Sequence, residues 1–241
     1  MNTSPSPYHI WKGEMMQSNV TPDRRLLSAL PYLTRGGRIA DIGTDHAYLP
    51  IYLVREGIVS HALAADINEG PIQSARANIA AAGQTDRIDT LRTDGLCGVE
   101  PYAPDDILIF GMGGELIIHI LEAAPWIRTE RIGLILQPMS RAAVLRAWLL
   151  ENGFAITGES LTLEEKYYQT VAARYCGKTE RYTEEELALG KWNICNRPPL
   201  FDGFLRHEIA VLDKILAGKA RAKSADAAPE MQLKERMERL L

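Results

Sequence analysis

Acidic side chains follow three successive apolar stretches of this 241-residue sequence, where they could bind a ligand that carries positive charge and hydroxyl groups. The acids are Asp41 and Asp45 around the first stretch, Asp66 at the end of the second and Asp94 after the third. A carboxylate can bind an ammonium group, accept from both hydroxyls of a ribose, or accept from an adenine amino group. Each acid alone could instead cap a helix or lie solvated in a loop, so a binding site requires that the fold bring them together.

The elements that would do so alternate along the first two thirds of the chain. Apolar runs that predict strands cover residues 38–42, 61–66, 88–92, 106–110 and 132–136. Helices are expected between them, at 46–56, 70–82, 115–123 and 140–152, and an earlier helix is expected to have Thr21 as its N-cap and Pro22 as its first residue. This alternation is typical of a parallel sheet covered on both faces, in which ligands bind at the carboxyl ends of the strands.

Two further runs, 154–163 and 167–174, predict antiparallel neighbours that complete a mostly parallel, seven-stranded α/β sheet of the Rossmann-like type. After Thr179 the composition shifts, and apolar residues recur at helical spacing in 205–216 and again in 233–240. We therefore expect three parts: a disordered tail over 1–19, a ligand-binding domain over 20–178 and a C-terminal helical hairpin over 179–241.

The residues after the first strand, Asp41-Ile42-Gly43-Thr44-Asp45-His46, distinguish between possible ligands. They contain a single glycine and so lack the GxGxxG pattern of NAD sites. S-adenosylmethionine fits better, because its ammonium group favours a carboxylate, its sulfonium disfavours cations, and its own carboxylate can accept from N–H groups of a loop. On this hypothesis Asp66 binds the ribose and Asp94 the adenine amino group.

The run Gly111-Met112-Gly113-Gly114 ends the fourth predicted strand and is expected to be a turn whose glycines let a flat ligand approach the backbone. Methyltransferases acting on amino groups often carry an Asn/Asp-Pro-Pro-aromatic turn here, so their mechanism is not expected. A tight turn without a function is the alternative interpretation.

Taken together, these stretches resemble the bacterial tRNA (adenine-22) N1-methyltransferase family, TrmK. The resemblance is carried by the residues 41–50 (DIGTDHAYLP), 68–71 (NEGP), 94–96 (DGL), 111–114 (GMGG), 134–138 (LILQP) and 165–168 (EKYY). It covers about residues 22–174, and the C-terminal helices resemble the family's coiled-coil-like appendage more loosely.

The resemblance implies a class I methyltransferase fold, S-adenosylmethionine as methyl donor and N1 of a tRNA adenine as acceptor. The implied donor-binding residues are Asp41, Gly43, Asp45, Asp66, Ile67, Asp94, Gly95 and Gly111. The implied substrate-binding residues are Met112, Gly113, Gly114 and Tyr48. In one departure, Met139 stands where the family commonly has asparagine, and an apolar side chain cannot replace the hydrogen bonds of an amide.

Methylation of adenine N1 needs little prior proton abstraction, because N1 already has a lone pair, so positioning is expected to supply most of the rate. Asp45 is the predicted catalytic residue, since a carboxylate can stabilise the positive charge of the product. A purely donor-binding Asp45 is the alternative. His46 is interpreted as a helix-start residue, and Tyr48 either stacks on a base or forms a pocket wall.

The composition of the chain limits the kinds of partner, metal site and location that are expected. The chain has 27 basic and 31 acidic residues, a formal net charge of −4, so any contact with RNA must be local. Its three cysteines have no CxxC or metal-ligand spacing, so no metal is expected and a cytoplasmic location is favoured. No apolar run has the length of a membrane span.

Two other functions fit the same residues. One is a methyltransferase acting on another RNA, a small molecule or a protein, which predicts activity that does not depend on tRNA. The other is a non-catalytic RNA-binding protein on the same fold, which the presence of all the strand-end acids disfavours.

Overall fold

The computed structural model describes residues 22–221 and 227–241, and within them seven strands form one sheet. The strands are β1 (Arg38–Ile42), β2 (His61–Asp66), β3 (Ile88–Arg92), β4 (Asp106–Met112), β5 (Gly133–Pro138), β6 (Phe154–Leu163) and β7 (Tyr167–Tyr175). Their order across the sheet is β3-β2-β1-β4-β5-β7-β6. The first five are mutually parallel, and β7 is antiparallel to both β5 and β6, which confirms the predicted fold class.

Helices cover both faces of this sheet. They are α1 (Arg24–Leu27), α2 (Tyr48–Arg55), α3 (Glu69–Ala81), α4 (Gly114–Glu122), α5 (Ala142–Glu151), α6 (Glu184–Leu189), α7 (Lys191–Asn196), α8 (Phe201–Arg221) and α9 (Ala228–Glu238). Alternate residues of β4 enter opposite cores: Ile107 packs in the core with α4 and α5, and Leu108 in the core with α2 and α3. Burial on both faces explains why the strands are continuous apolar runs.

The first helix begins later than its sequence predicts. Asp23, and not Thr21, is its N-cap, and the Asp23 carboxylate accepts a hydrogen bond of 3.0 Å from the Leu26 N–H. Thr21 and the predicted tail over 1–19 lie outside the described residues. The N-cap prediction was wrong because the carboxylate of Asp23 satisfies an otherwise unpaired N–H of the first turn.

The predicted turn over 111–114 was also wrong. Strand β4 continues to Met112 through a bulge between Phe110 and Met112, opposite Gln137 and Pro138. Gly113 is then the N-cap of α4 and Gly114 its first residue. The glycines therefore join a strand directly to a helix, with Gly111 at a φ of 78° in the bulge.

The C-terminal region contains two short helices, α6 and α7, that the sequence patterns did not predict, followed by the predicted pair α8 and α9. The first residues of α8 pack Phe201, Phe204 and Leu205 against Tyr167 of β7. Residues 222–226 of the predicted 219–228 linker are outside the described range, and α8 extends to Arg221. The division into domains stays a prediction.

A buried ion pair connects the short helices α6 and α7 to the sheet. Arg146 Nε lies 2.6 Å from Glu159 Oε1, and both side chains are fully buried. Arg146 also donates to the Leu187 carbonyl at 2.8 Å, and Glu159 accepts from the Trp192 N–H at 2.9 Å. One pair thus links α5, β6, α6 and α7. Along the part of the chain described, no helix has the length and apolarity needed to cross a membrane.

Candidate functional site

A cavity of about 490 Å³ opens at the carboxyl ends of β1, β2 and β4, a size within the usual range of small-molecule sites. Its lining includes seven of the predicted site residues: Asp41, Gly43, Asp45, Tyr48, Asp66, Gly111 and Met112. These residues are far apart in the sequence, and the parallel pairing of the strands brings them to one edge.

The buried acid of this cavity is Asp41, whose residue surface is 9% exposed. The pKa of Asp41 is raised from an ordinary 3.8 to about 6, mainly by burial and in small part by Asp66, while the Thr44 hydroxyl and the Arg25 guanidinium oppose the rise. Thr44 Oγ1 is itself buried and has no hydrogen-bond partner of ordinary length among the described residues. An ionised Asp41 is therefore costly in the free protein and would be stabilised by a cationic ligand.

Asp66, at the end of β2, is half-buried at the same cavity. Its Oδ1 accepts a hydrogen bond of 2.7 Å from the Asn68 N–H, which fixes one side of the carboxylate just before α3 begins. Its other oxygen, Oδ2, accepts no hydrogen bond from the described residues. Asp66 can thus accept from hydroxyl groups of a ligand.

The loop after β1 packs closely and uses some of its own N–H groups. Gly43 has a φ of 80°, and a Cβ there would lie 2.3 Å from Met112 Cε. The N–H groups of Gly43 and Thr44 both donate to the Ala65 carbonyl, at 2.8 and 2.9 Å. These two groups are therefore engaged by β2 and cannot also serve a ligand carboxylate, as the sequence had suggested for this loop.

Asp45, His46 and Tyr48 form the outer wall of the cavity. The Asp45 side chain is 78% exposed, and its Oδ2 lies 3.2 Å from His46 Nε2. The His46 and Tyr48 rings are stacked with centroids 5.0 Å apart. His46 precedes α2, which begins at Tyr48 after Ala47 in the left-handed conformation.

Five predicted site residues do not line this cavity: Ile67, Asp94, Gly95, Gly113 and Gly114. Ile67 is 54% exposed beside Asp66, and Asp94 is exposed after β3. Two of the glycines have packing reasons to be glycine: a Cβ on Gly95 would lie 3.0 Å from Ile120, and one on Gly114 would lie 2.6 Å from the Arg141 carbonyl. For all five residues, the predicted binding of the donor or of the substrate stays a prediction.

Sequence reasoning missed the residues that hold α1 against the site. Gln137, at the end of β5, is fully buried, and its amide donates to the Arg25 carbonyl at 3.0 Å and to Thr170 Oγ1 at 3.0 Å. The position of Arg25 in the lining of the cavity follows from this anchor. The available signal was an amide inside an otherwise apolar strand, since a buried amide must be hydrogen-bonded.

A second cavity, of about 560 Å³, lies between α8 and α9, away from the strand-end acids. Lys234 in its lining lies 2.6 Å from Asp213 Oδ1, and Lys219 lies 2.6 Å from Glu230 Oε1. These pairs neutralise its lysines. In the described parts of the chain, no three His, Cys, Asp or Glu side chains are grouped as metal ligands.

The strand-end cavity fits the chemistry of S-adenosylmethionine. It combines a buried acid, Asp41, for a cationic group with a half-buried acid, Asp66, for hydroxyl groups. Gly111 leaves its backbone open on the side of Arg25, whereas the space beside Gly43 is filled by the Met112 side chain.

Comparison with known proteins gives concordant matches. The family model of TrmK, tRNA (adenine(22)-N(1))-methyltransferase, matches residues 39–240. A Bacillus subtilis protein of that description is 37% identical over 168 residues, which are 69% of this chain and 71% of the relative. A Streptococcus agalactiae protein of the NADB-Rossmann superfamily has a TM-score of 0.83 at 32% identity, over 92% of this chain and 98% of that one. A putative tRNA (m1A22) methyltransferase of Streptococcus pneumoniae, solved with S-adenosyl-L-methionine, has a TM-score of 0.79 at 30% identity. The match covers 90% of this chain and 99% of that one.

Proposed function

The chain belongs to the TrmK family of tRNA (adenine(22)-N(1))-methyltransferases, and on that premise we propose that its strand-end cavity transfers a methyl group from S-adenosylmethionine to N1 of adenine 22 in tRNA. The observation that supports this use of the cavity is the meeting of Asp41 and Asp66 at the ends of adjacent strands. We further propose that the enzyme acts in the cytoplasm and without a metal.

Most of the predicted donor-binding residues have a proposed place along the donor. Asp41 holds the ammonium group beside Gly43, and Asp66 holds the ribose hydroxyls with Ile67 at its edge. Asp94 and Gly95 border the adenine, beyond the lining of the cavity. When bound, the donor supplies an electrophilic methyl carbon on its sulfonium.

The acceptor side is built from Tyr48 and the residues Gly111, Met112, Gly113 and Gly114. The target adenine must leave its stack to reach the cavity, as other base-modifying enzymes require. Tyr48, stacked on His46, offers an aromatic surface at the mouth for such a base. Met112 covers Gly43 and limits the space available to water.

Positioning accounts for most of the catalysis in this scheme, because adenine N1 attacks with its own lone pair. As N1 bonds the methyl carbon, the bond from that carbon to the sulfonium sulfur would break, so the positive charge passes to the base and S-adenosylhomocysteine leaves as a neutral thioether. Asp45, an exposed carboxylate of the wall, stabilises that charge or accepts a proton from the exocyclic amine.

The decisive experiment incubates the purified protein with labelled S-adenosylmethionine and unmodified bulk tRNA, followed by nucleoside analysis. We expect N1-methyladenosine, and with single tRNA transcripts we expect it only where position 22 is adenosine. A matched transcript with guanosine 22 is the control. Absence of N1-methyladenosine, or label transferred without tRNA, would contradict the proposal.

A further inference from the structure

Arg25 is the one lysine or arginine in the lining of the strand-end cavity, as far as the structure describes the chain. Its side chain is 22% exposed, so most of it is withdrawn from water. It belongs to α1, and a Cβ built on Gly111 would lie 3.8 Å from its Nη1. The guanidinium therefore lies at the end of β4, close enough to Asp41 to lower the pKa of that acid.

The contacts that Arg25 makes in the described protein are weak for a guanidinium with five donors. Its Nη1 lies 3.4 Å from Gln137 Oε1 and its Nε lies 3.8 Å from Asp23 Oδ2. Its central carbon lies 5.5 Å from the centre of the Tyr168 ring. Charge-assisted hydrogen bonds are usually about 2.7–2.9 Å long. The group is thus held in orientation, by an amide and a ring, with donor capacity left for an anion.

The amino-acid end of the donor presents such an anion beside the ammonium group assigned to Asp41. Its carboxylate needs donors, and the N–H groups of Gly43 and Thr44 are already bonded to the Ala65 carbonyl. Arg25 can supply two parallel N–H groups to one carboxylate, a pairing that also fixes its direction. Opposite charges at Asp41 and Arg25 match the zwitterion that a donor of this class carries.

Contact of Arg25 with the acceptor base is disfavoured by electrostatics. That base gains positive charge during methylation, and a guanidinium touching it would raise the barrier. A cation near the donor's sulfonium is unfavourable for the same reason unless an anion neutralises it. The donor's carboxylate is such an anion.

We propose that Arg25 binds the α-carboxylate of S-adenosylmethionine and thereby sets the enzyme's preference for donors that keep their amino-acid carboxylate. The inference rests on the proposed function, which supplies the donor.

The test is calorimetry of two ligands on three proteins, without tRNA. The ligands are S-adenosylhomocysteine and its decarboxylated analogue, which keeps the ammonium group and lacks the carboxylate. The proteins are the unmodified chain, Arg25→Met and Arg24→Met, the last being a neighbouring arginine that does not line the cavity. We expect Arg25→Met to weaken S-adenosylhomocysteine about 10- to 100-fold and to leave the analogue within about twofold. Arg24→Met should leave both affinities unchanged.

Other outcomes overturn the proposal. An equal loss for both ligands means that Arg25 only supports the shape of the cavity, and Arg25→Lys together with thermal unfolding then checks the fold. An unchanged affinity for S-adenosylhomocysteine with a raised KM for tRNA assigns Arg25 to an RNA phosphate. Because the binding assay contains no tRNA, failure to form N1-methyladenosine overturns the acceptor assignment alone. Failure of the unmodified chain to bind S-adenosylhomocysteine overturns both.

Discussion

The ionised form of Asp41 destabilises the free protein, and the proposed cationic ligand would remove this destabilisation. Burial holds its pKa at about 6, against an ordinary 3.8, so the ionised form is disfavoured in the folded state. By linkage, the folded protein binds more protons than the unfolded chain between these two values, and its stability falls as the pH rises from about 4 to above 6. The penalty at neutral pH is of order 3 kcal/mol, at about 1.4 kcal/mol per pKa unit.

Asp41→Asn should therefore raise the melting temperature of the ligand-free protein by several degrees at pH 7.5, with the gain shrinking toward pH 4.5. Thermal unfolding across this pH range measures it. The same variant should lose donor affinity, whereas the unmodified protein should bind the donor more tightly as the pH rises through about 6. A variant less stable than the unmodified protein at pH 7.5 would contradict this account of the buried charge.

Asp66 is predicted to hold the donor through hydroxyl contacts that no neighbouring side chain can replace. Asp66→Ala should abolish measurable binding of S-adenosylmethionine in calorimetry, because paired hydrogen bonds to a carboxylate contribute about 1.5–3 kcal/mol each. Asp86→Ala, an exposed acid before the amino end of β3, is the matched control and should bind normally. Unchanged affinity of Asp66→Ala would remove the ribose assignment.

The role of Asp45 is separable from donor binding because its carboxylate is mostly exposed at the mouth. With saturating donor, Asp45→Asn should slow single-turnover methylation by about 10- to 100-fold if the carboxylate stabilises charge in the transition state. The affinity for S-adenosylmethionine, measured in parallel, ensures saturation. A near-normal rate would show that Asp45 takes no part in the chemistry.

At the scale of elements, the junction of β4 and α4 contains two adjacent glycines with different reasons for being glycine. A Cβ on Gly114 would lie 2.6 Å from the Arg141 carbonyl, a backbone atom of the segment leading into α5. A Cβ on Gly113 would meet only the Ser140 hydroxyl, at 3.3 Å, which can rotate away. The close approach of α4 to this segment therefore depends on Gly114.

Gly114→Ala should lower the melting temperature by several degrees, since overpacking costs about 1–3 kcal/mol. Gly113→Ala is the matched variant and should unfold within about 1–2 °C of the unmodified protein. Scanning calorimetry measures the melting temperatures of both variants and of the unmodified protein. Equal melting temperatures for the two variants would contradict the packing explanation of Gly114.

At the scale of the whole molecule, several arginines of the described residues are engaged by acidic side chains of the protein itself. Arg146 is fully buried against Glu159, Arg131 lies 3.2 Å from Asp105, and Arg141 lies 3.6 Å from Glu115. Only the latter two pairs are exposed enough to exchange partners with a phosphate. Together with the net charge of −4, these pairs favour local contacts with RNA.

Binding of tRNA should accordingly weaken with salt, but with a modest slope. Three phosphate contacts would lower the affinity roughly 40-fold between 50 and 200 mM salt. Fluorescence anisotropy with labelled tRNA at several salt concentrations measures the slope. An affinity that does not change with salt would exclude an electrostatic contribution.

Much of the fold could be predicted from the sequence, because the patterns of apolar residues that indicate strands and helices are both strong. Apolar runs of strand length alternate with helical patterns up to Asn152, and acids follow three of the runs, so the sheet, its parallel sense and the edge that holds the site could all be predicted. The helices α6 and α7 escaped prediction, because each has six residues and too few apolar positions to show a period.

The sequence by itself determined which chemical groups lie at the carboxyl edge, since Asp41 and Asp66 end successive strands of a parallel sheet. Only the tertiary structure decided which groups remain available there. It engages the N–H groups of Gly43 and Thr44 with β2, removes Arg146 into the interior and brings Arg25 to the cavity through Gln137. These outcomes depend on contacts between residues at least 13 positions apart, because burial and hydrogen-bond partners are properties of packing and no local pattern records them.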